Sequence, residues 1–130
     1  MNAETKPTLQ DFIERAKRED WPWVDANLTN ELITPDWIYW VRRKGWMDDN
    51  DNVRDLAATI MMVSDTEINQ IDQAWFEAWM SEDDFEVVRY RLAVALYKRG
   101  NRYDEVTAMF DEACKHAEIG PIALKYKEAA

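Results

Sequence analysis

Glycine and proline are both sparse in this sequence of 130 residues, at three and four positions. A β-rich fold needs many tight turns built from these residues, so their scarcity disfavours one. The single cysteine, Cys114, excludes an intrachain disulfide and a metal site with several cysteine ligands. Basic residues number 16 against 26 acidic ones, for a formal net charge of −10. That balance disfavours binding to nucleic acid or anionic membranes, because both depend on clustered cations.

Long hydrophobic runs are also missing. The longest covers residues 60–63, far short of the roughly 20 residues that span a bilayer. The first six residues are polar, and no apolar stretch of signal-peptide length follows them. We therefore expect a cytoplasmic protein that does not enter a membrane. Apolar residues make up 47% of the sequence, which is enough to bury the core of a single domain spanning residues 1–130.

Helical periodicity runs through the whole sequence and predicts an all-α fold of seven to eight helices, arranged as stacked antiparallel hairpins in a short solenoid or an irregular bundle. Residues 1–47 are predicted to form N-terminal helices, residues 50–117 two hairpins, and residues 121–130 a closing helix after Gly120-Pro121. The second helix is expected to carry its apolar stripe as far as Leu32. The start signals are Thr8 with Asp11, Asp20, Thr34-Pro35-Asp36, Asn50 or Asp51, Ser64 with Glu67, residues 81–84, and Asn101 with Asp104.

An internal repeat appears when the sequence is shifted by 35 residues, which lays residues 53–80 over residues 88–115. Val53-Arg54 then matches Val88-Arg89, and Glu77-Ala78 matches Glu112-Ala113. Each copy reads as two amphipathic helices joined by a short turn. A single hairpin of this kind cannot bury its apolar stripe alone, but a second hairpin stacked against the first can cover it. The alternative is that any two amphipathic hairpins of this length align equally well.

The second copy resembles a tetratricopeptide repeat. Leu92, Ala93 and Leu96 match that family's positions on the first helix, and the turn and second helix match at Gly100, Tyr103, Val106, Phe110 and Ala113. The spacing of Val53-Arg54 and Ala57-Ala58 in the first copy also resembles a HEAT repeat. Either resemblance implies stacked α-hairpins and a protein-binding function.

The tetratricopeptide resemblance implies a binding groove lined by the first helix of each pair. Carried onto this sequence, its outward positions are Tyr90, Val94 and Tyr97 in the second copy and Asp55, Thr59 and Met62 in the first. The three residues of the second copy form one continuous stripe beside the core row. Three alternatives are open for this stripe. It is covered by a partner peptide, covered by the terminal helix from Ile122, or exposed to solvent.

No constellation in the sequence predicts catalysis, a cofactor or a metal. A calcium loop starting at Asp48 would need glycine where Val53 stands and glutamate where Thr59 stands. Cys114 and the only histidine, His116, lie two positions apart and so point to different faces of a helix. No phosphate-binding glycine loop or nucleophile elbow is present. We therefore predict that the protein is not an enzyme.

Two functional hypotheses follow. The leading one is a non-catalytic protein-protein interaction module that binds a protein or peptide in a helical groove. The alternative is an acidic inhibitor or nucleic-acid mimic that binds a basic partner surface, since acidic residues concentrate at 48–51 and 82–86. Stacked hairpins would bring these two segments side by side. The seven tryptophans fit either core packing or an aromatic partner surface.

Overall fold

The computed structural model describes residues 6–129 of the chain, and the side chains of residues 6–127. This part of the chain contains eight α-helices and two short 3-10 helices. No strand occurs within these residues, so the predicted all-α fold is confirmed. Residues 1–5 and 130 of the predicted domain lie outside the described residues. The helices are α1 (Leu9–Lys17), α2 (Trp21–Asn27), α3 (Pro35–Arg43), α4 (Asp51–Val63), α5 (Gln70–Glu82), α6 (Glu86–Lys98), α7 (Asp104–Cys114) and α8 (Gly120–Ala129), and the 3-10 helices are Asn30–Leu32 and Gly45–Met47.

Most helices begin or end where the sequence signals predict. Thr8 and Asp11 form the expected capping box of α1, with each side chain bonded to the other's backbone N–H. The side chain of Asn50 accepts hydrogen bonds from the first turn of α4. Helix α3 begins at Pro35, and α6 is followed by Gly100 at a φ of 91°. These boundaries depend on capping and turn residues next to each helix end, which can be identified directly in the sequence.

The predicted start of α5 at Ser64 is wrong. Helix α5 begins at Gln70, after Asn69, whose side chain accepts a hydrogen bond from the Asp72 N–H. The segment between α4 and α5 is non-helical because distant residues hold its backbone. Arg99 donates to the carbonyl oxygens of Ser64 (2.8 Å) and Thr66 (2.9 Å). Asn30 accepts from the N–H of residue 65.

Helix α2 is shorter than predicted, since it ends at Asn27 and does not continue to Leu32. The Asn27 side chain donates to the carbonyl oxygen of Trp23 at 2.8 Å, next to the helix end. Leu28 is extended and buried, and the chain resumes only as the 3-10 turn Asn30–Leu32. Side-chain bonding of this kind competes with the helical ladder.

Helix α6 is the centre of the fold and packs against α4, α5, α7 and α8. Helices α4 and α6 lie side by side with their bounds displaced by 35 residues, the predicted repeat period. Helices α6 and α7 form the expected second hairpin. In the first copy, however, α5 packs more closely on α6 than on α4, because the held segment of residues 64–69 separates the two helices.

The core lies around α4 and α6, where small residues let the helices approach. Ala57, Ala58 and Ala93 are all fully buried there. All seven tryptophans lie in this core or pack against it: two are buried and five are half-buried. Among residues 6–129, no helix is long and apolar enough to cross a membrane.

Candidate functional site

The two acidic segments lie side by side, as predicted. We call them together the acidic ridge, residues 48–51 and 82–86. Arg54, in the first turns of α4, reaches both segments. Its Nη2 lies 2.6 Å from Asp51 Oδ1 and 3.2 Å from Asp84 Oδ1, and its Nη1 donates to the carbonyl oxygen of Asp48 at 2.8 Å. One guanidinium therefore fixes the spacing of the two segments.

Asp83 anchors the second segment from inside the protein. Its Oδ2 accepts hydrogen bonds from Arg54 Nε and from the Trp79 indole, both at 3.0 Å, and its Oδ1 accepts from the Phe85 N–H at 2.9 Å. Arg89, the repeat counterpart of Arg54, donates to the Asp83 carbonyl oxygen. The buried carboxylate is thus fully bonded, which keeps this turn in one conformation.

Arg54 stays charged in this setting. Burial lowers the pKa of its guanidinium, but the hydrogen bonds that it donates to Asp83 and Asp51, with the negative charges of these two residues, outweigh burial and raise the pKa above its ordinary value. The side chain of Arg54 is only 12% exposed, whereas that of Asp84 is 91% exposed. The cation is therefore largely withdrawn from solvent, whereas the carboxylates of the ridge other than Asp48 and Asp83 are exposed.

A cavity of about 410 Å³ opens between the two segments of the ridge. Trp46 and Trp79 form its aromatic wall, with ring centroids 6.4 Å apart and a tilt of 66°. Five carboxylates line the cavity, at Asp49, Asp51, Glu82, Asp83 and Asp84, and they outnumber the one cation that lines it in the described part of the chain, Arg54. Aromatic faces and carboxylates together suit a cationic side chain with an apolar stem. Within the described residues, no group of three or more His, Cys, Asp or Glu side chains is placed to hold a metal ion.

The predicted groove differs from expectation at four of its six positions. Val94, Asp55, Thr59 and Met62 are buried and do not face outward. The reason is that α1 packs on α4 and α8 packs on α6, so neighbouring helices cover the face that a tetratricopeptide stack leaves open.

The other two groove positions, Tyr90 and Tyr97, are half-buried. The Tyr97 ring stacks on Phe110 at 3.7 Å between centroids, and the Arg102 guanidinium lies 3.5 Å from the centre of the Tyr97 ring. Tyr90 contacts the ring of His116 edge-on. Helix α7 and the turns on both sides of it therefore supply much of the cover for these two tyrosines.

Asp55 forms a buried ion pair that the sequence analysis did not foresee. Its Oδ1 lies 2.5 Å from Arg91 Nε, and both residues are more than nine-tenths buried. Burial raises the pKa of the Asp55 carboxyl, while the charge and hydrogen bond of Arg91 oppose the rise. The separation of 36 positions, close to the repeat period, was the signal available in the sequence.

Comparisons with protein-family models, with curated proteins and with solved structures found no match for this chain.

Proposed function

We propose that this protein is a non-catalytic protein-protein interaction module that binds a basic partner surface through its acidic ridge. The observation that carries the proposal is the joining of two acidic segments by Arg54 and Asp83. Seven carboxylates are thereby concentrated on one edge of a protein whose formal net charge is −10. Such a field attracts a basic surface from a distance and orients it before contact.

The rigidity of the ridge supports binding as well as attraction. Asp83 is held by three hydrogen bonds, so the exposed carboxylates beside it need little ordering when a partner arrives. Preorganisation of this kind raises affinity because less conformational freedom is lost on association. Trp46, the half-buried tryptophan of the cavity wall, adds a surface for the stem of a lysine or arginine side chain.

The same geometry favours a particular kind of partner. Two rows of carboxylates along an edge suit a protein surface that otherwise binds a polyanion, which is the role of an inhibitor or nucleic-acid mimic. The groove hypothesis has less support, because Val94, Asp55, Thr59 and Met62 are buried within the chain. The cytoplasmic location and the repeat family stay predictions.

The test compares two triple variants with the same net charge. The ridge variant combines Asp49→Asn, Glu82→Gln and Asp84→Asn, and the control variant combines Asp36→Asn, Glu14→Gln and Asp111→Asn, all exposed side chains. Each protein is titrated with an oligolysine peptide at low salt and used to capture proteins from a lysate. We expect the ridge variant to bind the peptide at least about tenfold more weakly, equal to about 1.4 kcal/mol, and the control to change little.

Salt dependence completes the test. Exposed ion pairs are screened over about 10 Å at 0.1 M salt, so binding should weaken steeply as salt is raised. Basic proteins captured by the wild type should be absent from the ridge variant's capture. Equal losses in both triple variants would mean that only net charge matters, and would contradict a specific ridge.

A further inference from the structure

A second cavity, of about 280 Å³, lies among α2, α4, α6 and α8. Its walls are partly apolar, with Leu28, Met62 and Ile122 on them. Its polar groups are few and unlike in charge. Arg91 and Thr59 lie on the inner wall, and the exposed carboxylates of Asp25 and Glu118 also line it. An apolar enclosure with a few placed polar groups is the usual form of a small-molecule site.

Arg91 is the unusual member of this cavity. The residue is only 8% exposed. Its Nε donates to Asp55, but its two terminal nitrogens have no hydrogen-bond partner within the described residues. Arg91 lines the cavity, and neither of these nitrogens is among the fully buried side-chain atoms that lack a partner. A guanidinium presents its donors in a planar fork that matches a carboxylate. The unused part of the fork is therefore a ready carboxylate site.

The surrounding charges restrict what can use that site. Asp25 and Glu118 add two negative charges around Arg91, and the charge of Arg91 is already balanced by Asp55. The field of Glu118 reaches the buried pair, because it contributes to the raised pKa of the Asp55 carboxyl. A simple anion would be repelled by the exposed carboxylates, and a simple cation would leave the fork of Arg91 unused. A zwitterion avoids both difficulties, because its negative group can bond to Arg91 while its positive group lies near Asp25 and Glu118.

We propose that this cavity binds a free α-amino acid with an apolar side chain. The ligand carboxylate bonds to the terminal nitrogens of Arg91, and its ammonium lies against Asp25 and Glu118. Its side chain packs on Leu28, Met62 and Ile122. This site is separate from the acidic ridge and does not depend on the function proposed for the ridge.

The first test is a titration of the full chain with L-leucine, followed by NMR of the methionine methyl groups. The Met62 signal is identified by its loss in Met62→Leu. We expect leucine to bind with a dissociation constant of about 1 mM. The shift of the Met62 signal should then approach saturation by about 10 mM leucine. N-acetyl-L-leucine lacks the ammonium and L-leucinamide lacks the carboxylate, so both should bind at least about tenfold more weakly. Glycine should also bind weakly, because it lacks the apolar side chain.

The second test uses variants that leave the buried pair intact. Asp25→Asn combined with Glu118→Gln removes the two exposed carboxylates without touching the core, and Asp111→Asn combined with Glu14→Gln is the control with equal charge. The first double variant should lose at least about tenfold in leucine affinity, and the control should keep it. The proposal is overturned if leucine leaves Met62 unshifted, if either blocked analogue binds as well as leucine, or if the first double variant binds leucine normally.

Discussion

Arg54 and Asp83 lie 29 positions apart in the sequence and are joined by a hydrogen bond of 3.0 Å between Nε and Oδ2. The bond ties the start of α4 to the turn between α5 and α6. It also links the surface turn to the core, since the same Oδ2 accepts a hydrogen bond from the buried Trp79 indole N–H. The acidic ridge is thus an extension of the packed interior.

The first prediction concerns Arg54. In Arg54→Met, the carboxylate of Asp83 keeps Trp79 and the Phe85 N–H but loses its only ionic partner among the described residues. We expect the free energy of unfolding to fall by about 2 to 3 kcal/mol, somewhat less than for a fully buried pair that loses one member. Urea denaturation followed by tryptophan fluorescence measures the change.

Arg43→Met is the matched control for Arg54, because Arg43 is exposed at the end of α3 and, within the described part of the chain, its side chain bonds only to Tyr39. Its effect should stay within about 0.5 kcal/mol. Equal stability losses in the two variants would contradict the anchoring role of Arg54. A large loss only in Arg54→Met would agree with it.

The helix boundaries show where sequence reasoning works and where it stops. Thr8, Asn50 and Gly100 act within a few residues of the boundary that they define, and each was predicted. The segment after Ser64 also carries a local helix signal, but Arg99 holds its carbonyl oxygens from another helix. A contact between residues more than 30 positions apart overrides local propensity there, and no short window of sequence contains it.

The ridge was predictable for a different reason. A repeat period places equivalent segments at the same edge of a stack, so the adjacency of residues 48–51 and 82–86 followed from the 35-residue shift. The roles of Arg54 and Arg89 were missed, although they occupy matching repeat positions and both bind Asp83. The pairing of Asp55 with Arg91 was missed because a charged side chain on a helix is usually solvated.

The second prediction is a pH dependence that arises from Asp55. Because its pKa is raised in the folded state, the folded protein binds this proton more tightly than the unfolded chain. The contribution of Asp55 to stability is therefore greatest below the unfolded pKa of about 3.9, and falls as pH rises through the folded pKa. Asp55→Asn has no proton to lose at this position.

The measurement is the difference in unfolding free energy between the wild type and Asp55→Asn, taken from about pH 4 upward. Subtracting the two removes the titration of the other carboxyl groups. We expect the wild type to lose stability relative to the variant as pH rises, until the folded pKa is passed. The opposite slope would mean that the charge of Arg91 outweighs the burial of Asp55.

The third prediction tests the close packing at the centre of the fold. Ala93 is fully buried on α6, so an indole has no room there, and Ala93→Trp should lose more than about 3 kcal/mol or fail to fold. Ala74→Trp places the same side chain on an exposed position of α5 and should melt near the wild-type temperature. A normal melting temperature for Ala93→Trp, measured by circular dichroism, would contradict this packing.

The fourth prediction separates two glycines that are needed for different reasons. Gly100 has a φ of 91°, but nothing lies within 4 Å of where a Cβ would stand. Gly100→Ala should therefore lose about 1 kcal/mol from backbone strain alone, and Gly100→Asn less, because asparagine tolerates this conformation better.

At Gly45 the restriction is steric. A Cβ there would lie 2.7 Å from Cζ3 of the Trp40 ring and 3.0 Å from the Cβ of Ala57. Gly45→Ala should lose about 1 to 3 kcal/mol because the ring must move, and Gly45→Asn should be worse still, since its side chain is larger. Asparagine thus relieves the loss at Gly100 and deepens it at Gly45. Urea denaturation of the four variants checks this reversal, and the same order of alanine and asparagine at both sites would contradict it.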